Sequence, residues 1–151
     1  MELRSVEELM DLLHAGRGTR HTAEGGGGPV DVHDHALQTA ALLRRSHPAD
    51  KELQVAGLVH GIGRLLRPGD ATAHAQLPPH LVGPLLGHRV SRLGRLHSAG
   101  RPDPYDADDA LSLRQACDAG RAAGLHAGVL EDWRTVVELV AAQNSRLGAV
   151  D

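Results

Sequence analysis

Aromatic side chains are nearly missing from this chain of 151 residues. It contains no phenylalanine, one tyrosine (Tyr105) and one tryptophan (Trp133). A core without aromatic rings must be built from leucine and alanine with some valine, and leucine and alanine favour helices over sheets. The scarcity also argues against a protein that binds nucleic acid by stacking bases on aromatic rings. The composition therefore predicts an all-α protein.

Basic excess, long apolar runs and paired cysteines are missing as well. The net charge is −3 and Lys51 is the only lysine, which disfavours a basic nucleic-acid-binding face. No apolar run reaches the roughly 18 residues of a membrane span, and Met1–Ser5 lacks the layout of a signal peptide. Cys117 is alone and can form no internal disulfide. We expect a cytoplasmic protein with a small-molecule partner, with no nucleic-acid or membrane partner and with its oligomeric state left open.

Hydrophobic periodicity predicts seven helices and no strand. Ser5 opens the first helix with capping-box spacing, and a glycine-rich connector follows it up to residue 29. We therefore divide the chain into an N-terminal helix with a glycine-rich linker, residues 1–29, and a helical domain, residues 30–151. The later helices are predicted from Asp31 or Asp34 to near His47, from Asp50 to His60, from Pro78 and Pro79 to Leu86, from His88 to Ala99, from Asp106 or Asp108 to Cys117, and from Leu130 to Leu147.

The chain contains eleven histidines, far more than its aromatic poverty would suggest. Four of them lie on predicted helices whose packing could bring them together. Imidazole is the commonest metal ligand and the usual acid or base at neutral pH. The four candidates are His35, His60, His80 and His97. Most of the others are most simply explained as solvated loop or surface residues.

Two segments carry a resemblance, DHALQTA at 34–40 and AGLVHGIGRLL at 56–66. They resemble the HD-domain superfamily, and within it the phosphonate-degrading branch of mixed-valent di-iron oxygenases, whose pattern is HALQTA followed by LLHDIGHLL. Later pieces resemble the branch in the same order: HLVG at 80–83, HSAGR at 97–101, LRQACDAGR at 113–121 and LEDW at 130–133. The resemblance covers roughly residues 30 to 147 and implies a single HD-domain-like bundle of six to seven helices.

The departures from that pattern fall on the metal ligands. Gly61 stands where the branch has the aspartate that bridges two irons, and Arg64 stands where it has the next histidine ligand. Cys117 stands where the branch has its last aspartate ligand. Asp118 matches the second aspartate of that Asp-Asp pair. Two neighbouring cations need bridging negative charge to coexist, and a guanidinium at the site opposes them. Di-iron oxygenase and phosphohydrolase activity are therefore not expected.

The leading interpretation is a repurposed pocket that works without a metal or other cofactor. It would bind a small anionic or carbonyl-bearing metabolite and perform an acid–base lyase, isomerase, cyclase or hydrolase step, as in secondary-metabolite biosynthesis by a bacterium of high GC content. The proposed catalytic residues are His35, His60, His80 and His97. The proposed substrate-binding residues are Arg64, Arg101, Cys117, Asp118 and Arg121.

Two alternatives stay open beside it. One is a non-catalytic pseudoenzyme that only binds a ligand. The other is a mononuclear enzyme that retains oxygenase or hydrolase chemistry and holds one zinc or iron ion through His35, His60 and Cys117. Cys117 has two further interpretations, a nucleophile beside a histidine and a small buried apolar side chain.

Overall fold

The chain folds into α-helices, in a computed structural model that describes residues 3–17, 31–62, 79–99, 107–120 and 128–149. The side chains of residues 79–81, 94–99 and 146–149 lie outside that description. The helices are α1 (Val6–His14), α2 (Val32–Ser46), α3 (Lys51–Val59), α4 (Pro79–Leu86), α5 (His88–Ala99), α6 (Ala107–Ala119) and α7 (Arg134–Ala149), with a 3₁₀ helix (Leu130–Trp133) before α7. No extended strand occurs in these ranges, so the all-α prediction is confirmed.

Three helix starts are set by side-chain caps. Ser5 Oγ accepts a hydrogen bond from the backbone N–H of Glu8. In the same way, the Asp31 carboxylate accepts from the N–H of Asp34, and the Asp50 carboxylate accepts from the N–H of Leu53. A helix leaves its first N–H groups without partners, and a short polar side chain in front of it supplies an acceptor. The predicted caps Ser5 and Asp50 are confirmed, and of the two candidates for α2 the cap is Asp31.

One predicted boundary was wrong in detail, and another is tested only in part. Of the two cap candidates for α6, Asp108 lies inside the first turn and does not cap it, while Asp106, which directly precedes Ala107, lies outside the described residues. The last helix does not run unbroken from Leu130, because the 3₁₀ helix precedes α7. Val129 has no side-chain oxygen to cap an α-helix, and its own N–H instead donates to Asp132 Oδ2 at 3.2 Å. The chain therefore enters α7 through a tighter turn.

Helix α3 lies at the centre of the bundle and packs against α2, α5, α6 and α7. Its residues from Leu53 to Val59 are all buried, which explains why this segment is apolar on every side apart from Gln54, whose amide donates to the His47 carbonyl oxygen. Helix α1 packs against the 3₁₀ helix and α7, and its Leu9, Met10 and Leu13 enter the same core.

The core is built mostly from leucine, valine and alanine, as the composition predicts, and Trp133 is its one aromatic member among the described residues. Within the described ranges, no helix is both long enough and apolar enough to cross a lipid bilayer.

Candidate functional site

Three residues from three different helices meet at one buried point. His35 lies on α2, His60 directly follows α3, and Cys117 lies near the end of α6. The Cys117 sulfur is 3.4 Å from His60 Nε2 and 3.6 Å from His35 Nε2, and the two imidazole rings meet edge to face with centroids 5.1 Å apart. His35 and Cys117 are each 2% exposed and His60 is 9% exposed. We call His35, His60 and Cys117 the His–His–Cys cluster.

The His60 ring is held in one orientation by the last turn of α3. Its Nδ1 is 2.5 Å from the carbonyl oxygen of Gly57, three residues earlier. Because a carbonyl only accepts, Nδ1 carries the proton in the neutral ring, and Nε2 presents its lone pair to Cys117. A thiol proton on Cys117 can therefore be donated to His60 Nε2.

The His35 ring is oriented by the backbone of α6. Its Nε2 lies 2.8 Å from the carbonyl oxygen of Cys117 and donates to it, so this nitrogen carries a proton in the arrangement observed. The carbonyl oxygen of His35 in turn accepts from Thr39 Oγ1 at 2.7 Å. Both histidines of the cluster thus have a backbone carbonyl as a fixed partner.

Close contact between α2 and the end of α6 brings Cys117 over His35. Gly120, just beyond α6, lies so near α2 that an added Cβ would be 2.7 Å from Thr39 Oγ1 and 3.1 Å from Thr39 N. Gln38 Nε2 donates to the Gly120 carbonyl oxygen at 2.6 Å across the same junction. Glycine is needed here because any side chain would push the two helices apart.

Only part of the predicted site can be located. The structure brings His35, His60 and Cys117 together, and it leaves Asp118 exposed beside Cys117 and outside the cluster. His80 and His97 lie on α4 and α5, but their side chains are outside the described residues. The predicted arginines Arg64, Arg101 and Arg121 also lie outside the described residues.

The residues present do not fit the two-metal centre that the resemblance implies. Within the described residues, the His–His–Cys cluster includes no carboxylate that could bridge two cations. Gly61 offers no side chain, although among the described residues a Cβ there would meet only Val32 Cγ1, at 3.6 Å. No described neighbour therefore excludes a side chain at position 61, and the missing carboxylate is a property of the sequence. The donor set of the cluster is that of a site for one ion at most.

A second polar group lies at the start of α2. His33 Nδ1 donates to Asp34 Oδ1 at 2.9 Å, and the His33 ring stacks on His14 of α1 with centroids 6.0 Å apart. Asp31 next to them caps the helix. These contacts join α1 to α2, so the group has a structural explanation.

Sequence reasoning missed the backbone groups that orient the cluster. The Gly57 carbonyl fixes His60, and the Gly120 junction positions Cys117. The spacing of Gly57 three residues before His60 was the available signal, because a residue at a helix end can reach back to the preceding turn.

The chain matches no known protein-family model. A search of curated proteins also gives no significant match.

Proposed function

We propose that this chain is an HD-domain-like protein without the two-metal centre, whose His–His–Cys cluster transfers protons to or from a small anionic or carbonyl-bearing metabolite. The single observation that carries the proposal is the orientation of His60. Its Nδ1 is committed to the Gly57 carbonyl, and its basic Nε2 faces Cys117 Sγ at 3.4 Å. A neutral imidazole fixed in this tautomer is suited to general acid–base catalysis.

Each member of the cluster has a distinct role in this proposal. His60 is the base, because its Nε2 carries the lone pair. Cys117 lies within reach of that nitrogen and exchanges a proton with it. His35 acts as a hydrogen-bond donor, since its Nε2–H already donates to a carbonyl oxygen and can stabilise developing negative charge on a substrate oxygen.

The proposed substrate class rests on three arginines that the sequence analysis assigns to substrate binding and that lie outside the described residues. Arg64, Arg101 and Arg121 are proposed to receive the anionic end of the metabolite, because a guanidinium binds a carboxylate or phosphonate through two parallel hydrogen bonds. His80 and His97 are proposed to complete the pocket. A step in secondary metabolism fits this chemistry, and the resemblance to the phosphonate-degrading branch makes a phosphonate one candidate anion.

Deuterium exchange in metal-free protein tests the proposal. Pyruvate, 2-oxobutyrate and phosphonoacetaldehyde are incubated separately with the chelator-treated chain in D₂O, and loss of the C–H signals beside the carbonyl is followed by NMR. We expect the protein to accelerate exchange of at least one of the three. We expect His60→Ala to lower that rate by about 10²–10⁴-fold, the usual contribution of a general base.

The matched control is His88→Gln, because His88 is exposed and lies at the start of α5, outside the cluster. This variant should exchange the probe at the wild-type rate, and circular dichroism should show that both variants keep their helices. The proposal is wrong if the wild-type protein accelerates none of the three exchanges, or if His60→Ala retains the full rate. Binding of a probe without exchange would favour the pseudoenzyme interpretation.

A further inference from the structure

We infer that the His–His–Cys cluster is also a binding site for a single zinc ion, with Cys117 as a thiolate ligand and with three ligands from the described residues. This inference goes beyond the proposed proton transfer and does not depend on it, because it rests on ligand geometry alone. It also differs from a two-metal carboxylate centre in the number of ions, in the ligand set and in the metal preferred.

The distances between the ligand atoms fit a tetrahedral site. Zinc bonds of about 2.0–2.1 Å to nitrogen and about 2.3 Å to sulfur put the nitrogen and sulfur atoms of a tetrahedron about 3.5 Å apart. The two sulfur–nitrogen distances observed are 3.4 Å and 3.6 Å. The three ligand atoms all lie within 4.8 Å of one another. The two sulfur–nitrogen distances are therefore those of a tetrahedral zinc site, and all three residues offer a ligand atom to the same region.

The surroundings of His60 match those of a metal-bound histidine. Such a residue usually donates its second ring N–H to a carboxylate or backbone carbonyl, which fixes the ring and increases its basicity. His60 Nδ1 makes this bond to the Gly57 carbonyl oxygen, and Nε2 is left facing the sulfur.

Binding the ion requires two changes in the arrangement observed. Cys117 loses its thiol proton to solvent and becomes a thiolate, so that one proton is released for each zinc ion bound. The proton on His35 Nε2 moves to the other ring nitrogen, and the 2.8 Å hydrogen bond to the Cys117 carbonyl is replaced by a bond to zinc. Both changes occur in side chains, while the junction at Gly120 keeps the backbone in place.

The ligand set favours zinc over a pair of irons. Thiolate and imidazole are both ordinary zinc ligands, and a single ion needs no bridging carboxylate. The bound ion would occupy the lone pair of His60 Nε2, the nitrogen proposed to act as base. We therefore expect zinc to inhibit any proton transfer measured in the metal-free protein.

Cobalt substitution tests the site with a spectroscopic readout. Metal-free protein is titrated with Co²⁺, which reports tetrahedral coordination by intense visible absorption and a cysteine ligand by a near-ultraviolet thiolate-to-cobalt band. We expect both features to saturate at one Co²⁺ per chain and to disappear when Zn²⁺ is added. The chain has only one cysteine, so any thiolate band must come from Cys117.

Three variants separate this site from other histidines. Cys117→Ser should lose the near-ultraviolet band, His60→Gln should weaken Co²⁺ binding by at least about 10-fold, and His88→Gln should titrate like the wild type. A titration without a thiolate band, or a thiolate band that persists in Cys117→Ser, would overturn the inference.

X-ray absorption on the zinc-loaded wild-type protein provides a measurement that needs no variant. We expect one sulfur at about 2.3 Å and two nitrogens at about 2.0–2.1 Å. A shell of oxygen and nitrogen alone would contradict the site even if every variant failed to fold. Because deuterium exchange is measured without metal and cobalt absorption without substrate, each proposal can fail while the other holds.

Discussion

Glycine occupies two positions near the end of α3, Gly57 and Gly61. The described neighbours pack tightly around Gly57 and loosely around Gly61. A Cβ at Gly57 would lie 2.5 Å from Leu43 Cδ1 and 3.3 Å from Thr39 Cγ2, and Leu43 is fully buried. Among the described residues, a Cβ at Gly61 would meet only Val32 Cγ1, at 3.6 Å, which is an ordinary contact. Position 57 therefore requires glycine for the approach of α2 to α3, while no described neighbour requires it at position 61.

Alanine substitution at these two positions should have unequal effects on stability. Overpacking costs about 1–3 kcal/mol, and the better helix propensity of alanine returns up to about 1 kcal/mol. We expect Gly57→Ala to lower the free energy of unfolding by about 1–2 kcal/mol and Gly61→Ala to stay within about 0.5 kcal/mol of wild type. Urea denaturation followed by circular dichroism measures both. Equal losses at the two positions would contradict the packing described.

The identity of the site residues was more predictable than their orientation. His35 and His60 can be selected from the sequence because imidazole is the commonest metal ligand and the usual acid or base, and Cys117 because it stands where the resembled pattern has its late aspartate. The tautomers of the two histidines cannot be predicted in this way, because they depend on the backbone carbonyl groups of Gly57 and Cys117. Every residue has such a carbonyl group, and only the folded backbone determines which one lies next to an imidazole ring. The four-histidine pocket stays a prediction, since the side chains of His80 and His97 are outside the described residues.

At the scale of elements, a single arginine joins three helices. Arg89 of α5 binds both carboxylate oxygens of Asp50, the cap of α3, at 2.7 Å and 2.8 Å. It also donates to Asp109 of α6 at 2.9 Å and to Glu52 of α3 at 3.3 Å. These hydrogen bonds to Arg89 hold the pKa of the Asp50 carboxyl below its ordinary value of 3.8.

Asp50 should contribute to stability in two separable ways. Asp50→Ala removes both the helix cap and the charge, and we expect it to cost about 1–3 kcal/mol. Asp50→Asn keeps a good cap but loses the charge, and it should cost less, about 1 kcal/mol, because the pair is partly solvated. Urea denaturation at pH 7 measures the difference between the two variants, and equal losses would show that the cap contributes nothing.

The charge contribution of Asp50 should also depend on pH. A carboxyl group whose pKa is lowered in the folded state stabilises fully above its unfolded pKa, and it loses that effect as pH falls through the folded pKa. The gap in unfolding free energy between wild type and Asp50→Asn should therefore be constant near neutrality and close as pH falls from about 4. A gap that widened in acid would contradict the lowered pKa of Asp50.

Helix positions were predictable to within a few residues because their signals are local. The caps Ser5 and Asp50, and the proline and glycine breaks around α4, act within one turn of the chain. The 3₁₀ entry to α7 was missed although its signal is also local, since Val129 offers no side-chain oxygen as a cap and its N–H donates to Asp132 Oδ2. Local hydrophobic periodicity does not distinguish a tight first turn from an α-helical one.

At the scale of the whole molecule, the scarcity of aromatic side chains concentrates much of the packing on Trp133. The residue is 0% exposed and lies between α1 and α7, with the Arg44 guanidinium of α2 stacked 4.7 Å from its ring centroid. Among the described residues, no acceptor reaches the indole Nε1. The ring therefore stabilises the bundle by its volume and its contact with Arg44, and not by a hydrogen bond within this part of the chain.

Truncating Trp133 should consequently separate the effect of volume from that of polarity. Trp133→Ala should cost about 3–5 kcal/mol, the usual loss for a large buried ring, and this would leave a marginal fold, since domains are typically stable by about 5–15 kcal/mol. Trp133→Phe should cost less than half as much, because it keeps a ring beneath Arg44 and removes a donor without a described partner.

Circular dichroism must follow the unfolding, because both variants lack the only tryptophan. Leu139→Ala on α7 serves as the control, since Leu139 is 42% exposed and should change stability by no more than about 0.5 kcal/mol. Should Trp133→Phe prove as costly as Trp133→Ala, the indole N–H must have a partner in solution, and the account of the ring as a volume filler would be wrong.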